Sequence, residues 1–128
     1  MTPIVRKPTP AELTILSVLW ERGPSTVRQI HESFDDSTGY TTILKTLQIM
    51  SAKGLVRRDE SQRAHVYHAL HPQEEIQSHL VVNLLDGAFG GSAAKLVMQA
   101  LSTRPASSAE LDEIRGLLEN LQERADVG

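Results

Sequence analysis

The chain has 128 residues, 40% of them hydrophobic, and a net charge of −3, which suits one domain, or one small domain with an appendage, and excludes a disordered chain. It has no cysteine, which excludes a disulfide framework, a thiolate zinc site and a cysteine nucleophile, and fits a cytoplasmic location. No apolar run approaches the ~20 residues of a membrane span, and the N-terminal MTPIVRKPTPAE lacks the apolar stretch of a signal peptide, so no membrane insertion is expected.

The charge is unevenly spread. Residues 1–71 hold nine Lys/Arg, seven Asp/Glu and four of the five histidines, a net +2. Residues 72–128 hold four Lys/Arg and nine Asp/Glu, a net −5. A mildly basic front and an acidic back imply two modules with different partners.

Residues 1–8, with two prolines and two charged side chains, read as a disordered lead-in. Thr9-Pro10-Ala11-Glu12 is a capping box with proline at the first helical position. The helix behind it carries Leu13, Leu16, Leu19 and Trp20 inward and stops at Gly23-Pro24. Ser25 is placed to cap a second helix with Val27, Ile30 and Phe34 as its inner stripe, and Asp35 to Gly39 is a turn cluster.

Gly39 to Gly54, GYTTILKTLQIMSAKG, is the stretch around which the front half is organised. At 3.6 residues per turn, Ile43, Leu47 and Met50 share one face. Thr41, Lys45 and Gln48 lie opposite, with Thr42 and Ile49 beside them, and no carboxylate falls between Thr38 and Ala52. A solvated helix face usually mixes both signs of charge. A face meant for DNA excludes carboxylates, because they would meet phosphate oxygens. A core helix with a bland outer face carries the same apolar stripe, so the residues after Gly54 decide between the two.

Those residues change from a helical to an extended period. Leu55 to Asp59 and Ala64 to Leu70 are strand candidates around the polar tip Glu60-Ser61-Gln62-Arg63, a hairpin. Three helices and a hairpin make the winged helix-turn-helix order, the third helix reading DNA and the hairpin forming the wing, where Arg57, Arg58 and Arg63 would meet phosphates.

Pro72 opens a helical region whose apolar face is Ile76, Leu80, Leu84 and Ala88, broken by Gly87, Gly90 and Gly91. Ser92 is placed to cap a short helix with Leu96, Val97, Ala100 and Leu101 inward, and Ser102 to Ala106 is a loop. Ser107-Ser108-Ala109-Glu110 is a second capping box. Behind it Leu111, Ile114, Leu118, Leu121 and Ala125 repeat at three and four residues, a heptad seam too short to stand alone. Such stripes must be covered, and a second copy of the chain is the simplest cover.

His65, His68 and His71 recur every third residue, but on a strand His65 and His68 face opposite sides, and no carboxylate or cysteine lies at a ligand spacing. No metal or cofactor is expected. No glycine-flanked nucleophile elbow occurs, and Asp86 to Gly91, DGAFGG, lacks the preceding strand and following Lys-Ser/Thr of a phosphate loop, so no catalytic residue is expected.

The chain resembles the penicillinase-repressor family of bacterial winged-helix regulators, the BlaI/MecI type. The resemblance is carried by Leu19-Trp20, Tyr40-Thr41-Thr42-Ile43, Lys53-Gly54-Leu55-Val56, Arg63-Ala64-His65-Val66-Tyr67, Phe89-Gly90-Gly91-Ser92 and Lys95-Leu96-Val97, and spans about Pro8 to Leu121. It implies an N-terminal winged helix on a palindromic operator and a C-terminal helical region that forms a homodimer. In the best-known members a membrane sensor protease triggered by β-lactam leads to cleavage at an Asn-Phe pair. Here Gln99-Ala100 stands at that position, and Ile49 stands where familiar members carry arginine. A copper-responsive branch uses C-terminal cysteines, which this chain lacks.

The expected fold is therefore mainly α with a small β-hairpin. Residues 1–71 form a winged helix-turn-helix DNA-binding domain and residues 72–128 a helical dimerisation region. The residues expected to meet DNA are Tyr40, Thr41, Thr42, Lys45, Thr46, Gln48, Arg57, Arg58 and Arg63. Those expected at the dimer contact are Ile76, Leu80, Leu84, Leu111, Ile114, Leu118 and Leu121. The expected partners are a double-stranded DNA operator, a second copy of the chain and, upstream, a membrane sensor protease. The competing reading is a winged helix that binds proteins and has no affinity for DNA, which would not need Lys45, Arg57, Arg58 and Arg63 together.

Overall fold

The structure, a computed structural model, describes residues 7–34 and 37–127. Most of the expected lead-in, and Asp35-Asp36 of the turn cluster, lie outside the described residues. The chain divides into two compact units between Asn83 and Leu84.

The first unit opens with α1 (Pro10–Arg22). Thr9 Oγ1 accepts from the Glu12 backbone N–H and Glu12 Oε1 accepts from the Thr9 N–H, so both halves of the expected capping box form. β1 (Ser25–Thr26) and α2 (Val27–Glu32) come next. α3 (Tyr40–Lys53) ends at Gly54, whose φ of +79° is the left-handed cap that glycine adopts without strain. The Leu55 N–H then closes on the Met50 carbonyl at 2.9 Å. β2 (Val56–Asp59) and β3 (Val66–Ala69) form the wing.

The hairpin gains a third strand that was not expected. The sheet order is β1-β3-β2, antiparallel throughout, with Ser25 opposite Tyr67 and Arg58 opposite Tyr67 on the other side. β1 exists because an N-cap residue is itself extended. Thr26 has φ −79° and ψ 165°, and with Ser25 it presents two ladder positions. Thr26, not Ser25, caps α2, and Gln29 reaches back to the Thr26 N–H. Ser25 is buried and donates its hydroxyl to the Gly23 carbonyl at 2.9 Å.

One core holds this unit. It is built from Ile15, Leu16 and Leu19 of α1, Val27 and Ile30 of α2, Ile43, Leu47 and Met50 of α3, then Leu55, Val56 and Tyr67. Trp20, expected in the core, packs half-buried against it, and its indole N–H donates to the His71 carbonyl at 2.9 Å. The core takes its last member from α4 (Gln73–Gly87): Ile76 is 1% exposed within it and Leu80 packs against it. Both were expected at a dimer contact. Ile76 cannot serve there, because the winged helix has already covered it.

The second unit contains α5 (Ala93–Thr103) and α6 (Ser108–Val127). Gly90 and Gly91 have φ of +56° and +81°, and Ser92 caps α5 by accepting from the Lys95 N–H. α5 runs through Ser102 and Thr103, so the loop expected from Ser102 starts at Arg104. Ser107 Oγ accepts from the Glu110 N–H at 3.1 Å, as its capping position requires. Neither α5 nor α6 has a buried residue. Leu84, Val97, Met98, Leu101, Leu111, Leu117, Leu118 and Leu121 are all exposed, and Ile114 is half-buried. Among the described residues no helix is long and apolar enough to cross a membrane.

Candidate nucleic-acid interface

The face of α3 that the core leaves free is the one without carboxylates. Ile43, Leu47 and Met50 are fully buried, while Thr41, Thr42, Lys45, Gln48 and Ile49 are exposed. Lys45 stands opposite the buried stripe, at the middle of the open face. Gly39 caps the helix without a side-chain hydrogen bond. The positive end of the helix dipole therefore lies open beside Thr41 and Thr42. His31 packs beside the start of α3. Its Nε2 lies 3.1 Å from the Thr38 carbonyl, an acceptor, so that nitrogen carries the proton. Its ring meets Tyr40 edge-on, with centroids 6.0 Å apart.

Beside the first turns of α3, an open cleft runs between the helices and the wing. It is lined by Tyr40 and Leu44 of α3, Thr26, Val27 and Arg28 at the start of α2, and Arg58, Arg63, Ala64, His65 and Tyr67 of the wing. Three arginines thus line one cleft that also includes Tyr40 and Leu44 of α3. Arg28 pairs with Glu32, and Arg58 with Glu60, at exposed positions where such pairs hold weakly and exchange readily for a phosphate.

Arg57 lies elsewhere. Successive strand residues face opposite sides of a sheet, so the strand that turns Arg58 toward Tyr67 turns Arg57 toward His68. Its neighbour there is Asp59, whose carboxyl is held below the ordinary carboxylate value, first by the Ser61 backbone N–H at 2.9 Å, then by the Ser61 hydroxyl, with smaller contributions from the Arg57 and His68 charges. A depressed carboxyl steadies the wing turn at neutral pH and loses that contribution only as pH falls through its lowered value. Thr46, also expected at DNA, is half-buried and gives its hydroxyl to the Thr42 carbonyl at 2.8 Å. Among the described residues no group of three His, Cys, Asp or Glu side chains gathers to hold a metal ion. His71 instead ties the fold together: its Nε2 is 3.1 Å from the Gly54 carbonyl and its Nδ1 is 3.3 Å from Glu75.

The sequence pattern of the penicillinase repressor family matches residues 8–120. The chain belongs to the penicillinase repressor family. Two curated relatives, the transcriptional regulator BlaI of Mycobacterium tuberculosis strains CDC 1551 and H37Rv, are each 31% identical over 114 residues, covering 87% of this chain and 82% of the relative. The solved structure of transcriptional regulator Tm0710 from Thermotoga maritima superposes with a TM-score of 0.52 at 19% identity, covering 94% of this chain and 80% of that one. That likeness concerns the fold. The family is one of transcriptional regulators and not of enzymes, which agrees with the winged helix of the first unit.

Within the penicillinase repressor frame, the site holds residues that the sequence pattern alone did not single out. Arg28, His65 and Thr26 line the cleft, yet only Arg58, Arg63 and Tyr40 of its rim were expected. A signal for the α2 side was present: Thr26-Val27-Arg28-Gln29 is a capping box, and it fixes where α2 starts and hence where Arg28 stands.

Proposed function

We propose that the chain represses transcription as a homodimer acting in the cytoplasm, the open face of α3 in each copy reading one half of a palindromic operator. Membership of the family makes the chain a DNA-binding repressor; the pairing, the operator symmetry and the residue roles are our reading. The observation that carries it is the carboxylate-free open face of α3 beside a cleft bordered by Arg28, Arg58 and Arg63. Lys45 is suited to guanine O6 and N7, Gln48 to an adenine edge, and the threonine methyls to a thymine methyl. Arg58 and Arg63 hold the intervening phosphates. Residues 72–128 supply the dimer contact through Leu84, Leu111, Ile114, Leu118 and Leu121, on helices that leave apolar side chains uncovered. A membrane sensor protease upstream, as the family resemblance implies, would find Gln99 and Ala100 exposed within α5, not an Asn-Phe pair.

Lys45→Ala tests the reading. Loss of a base contact removes roughly 1–3 kcal/mol of discrimination per half-site, so affinity should fall more for the operator than for random DNA of equal length. An equal fall for both, at two salt concentrations, would make Lys45 a phosphate contact. Arg63→Ala should weaken binding to all sequences alike and reduce the slope of log affinity against log salt by roughly one unit. An unchanged slope would place the wing away from the phosphates. A wild-type chain with no salt-dependent affinity for its own upstream DNA would leave protein binding as the use of this winged helix.

A further inference from the structure

The open face of α3 carries one side chain that neither phosphate nor hydrogen-bonded base contacts explain. Ile49 is 52% exposed. At about 100° per residue it lies roughly 40° from Lys45, on the same open face as Thr42 and Gln48, which lie about 60° from Lys45. The residues that bind α3 to the core, Ile43, Leu47 and Met50, occupy the far side and are fully buried. Ile49 is thus no fringe of the core. Its exposure does nothing for the fold: a β-branched side chain is a poorer helix former than alanine, and here it leaves apolar surface in water.

A large apolar side chain gains nothing beside a phosphate oxygen. On the base edges of the major groove the apolar feature is the thymine C5 methyl. Four residues of helix rise span about 6 Å, roughly two base steps at 3.4 Å each along one strand. We propose that Ile49 reads a thymine methyl one or two steps from the base met by Lys45. The proposal rests on the operator-binding reading and adds to it a specificity determinant that acts by apolar contact, without a hydrogen bond.

The test uses the full-length chain and a duplex footprinted from its own upstream region. Each thymine of a half-site is replaced in turn by deoxyuridine, which removes the methyl and nothing else. At one thymine the replacement should weaken wild-type binding about fourfold, the worth of one buried methyl-sized group, and about fifteenfold when made in both half-sites. Ile49→Ala should bind thymine and deoxyuridine equally at that position, and keep any sensitivity that the threonine methyls confer elsewhere. Its salt slope should be unchanged. The variant should fold, since the site is exposed and alanine favours helix, and thermal unfolding followed by circular dichroism checks this. If every deoxyuridine substitution affects both proteins alike, the assignment of Ile49 is overturned while operator binding stands. If the wild type fails to bind the unmodified duplex, the operator-binding reading falls and takes the Ile49 assignment with it.

Discussion

Lys53→Met is expected to destabilise the winged helix by about 3–5 kcal/mol, the range for removing one partner of a buried ion pair. Lys53 Nζ lies 2.8 Å from Glu12 Oε1, with the two side chains 14% and 3% exposed. The same Glu12 oxygen accepts the Thr9 N–H at 2.9 Å, so one carboxylate ties the start of α1 to the last turn of α3. Without the ammonium, that carboxylate stays buried with a single backbone donor. Methionine keeps the length and packing of the lysine stem, so the loss reports the charge. Glu12→Gln should be milder. Glutamine preserves the capping box, and the freed ammonium is close enough to the surface to turn outward. In the Lys53→Met background, Glu12→Gln should restore much of the loss, because a neutral amide replaces the stranded charge. Urea unfolding followed by Trp20 emission reads the correct unit, since Trp20 is the single tryptophan and lies in the winged helix. Equal and additive losses in the double-mutant cycle would mean that the two groups do not interact.

The Lys53–Glu12 pair also marks the limit of what one sequence reveals. The capping box at Thr9 and Glu12, the stripe Ile43-Leu47-Met50 and the stop at Gly54 are local devices, and all three were legible because cap and period act within a few residues. An ion pair between residues 41 apart leaves no such trace. Nor does β1: two residues have no period, and their partner strand lies some forty positions on. Periodicity also shows which face of a helix is apolar, not what covers it. Ile76 and Leu84 continue one stripe of α4, yet Ile76 is sealed in the winged-helix core and Leu84 is exposed. The difference between Arg57 and Arg58 is of the same kind. Alternation along the strand is plain, but only the register of Arg58 against Tyr67 decides which arginine joins Tyr40 at the cleft.

The second large effect concerns pairing. Leu118→Asp is expected to leave the chain a monomer at micromolar concentration in sedimentation. In a single copy Leu118 is 58% exposed, so an aspartate there does little to that copy's fold, within roughly 0.5 kcal/mol for a surface substitution. Helix content and Trp20 emission should stay those of the wild type. If α6 pairs with a second copy through Leu111, Ile114, Leu118 and Leu121, the same aspartate enters a dry seam twice, once from each copy. A buried, unpartnered carboxylate destabilises by several kcal/mol. DNA binding should then separate into two parts. Affinity for an isolated half-site should be unchanged, because the winged helix is untouched. Affinity for the full palindrome should drop to the half-site value, because the second contact is no longer tethered to the first. A variant that remains dimeric would move the interface to the other uncovered side chains of the second unit, Val97, Met98 and Leu101 of α5, and would make the α6 seam solvent-facing in the dimer as well.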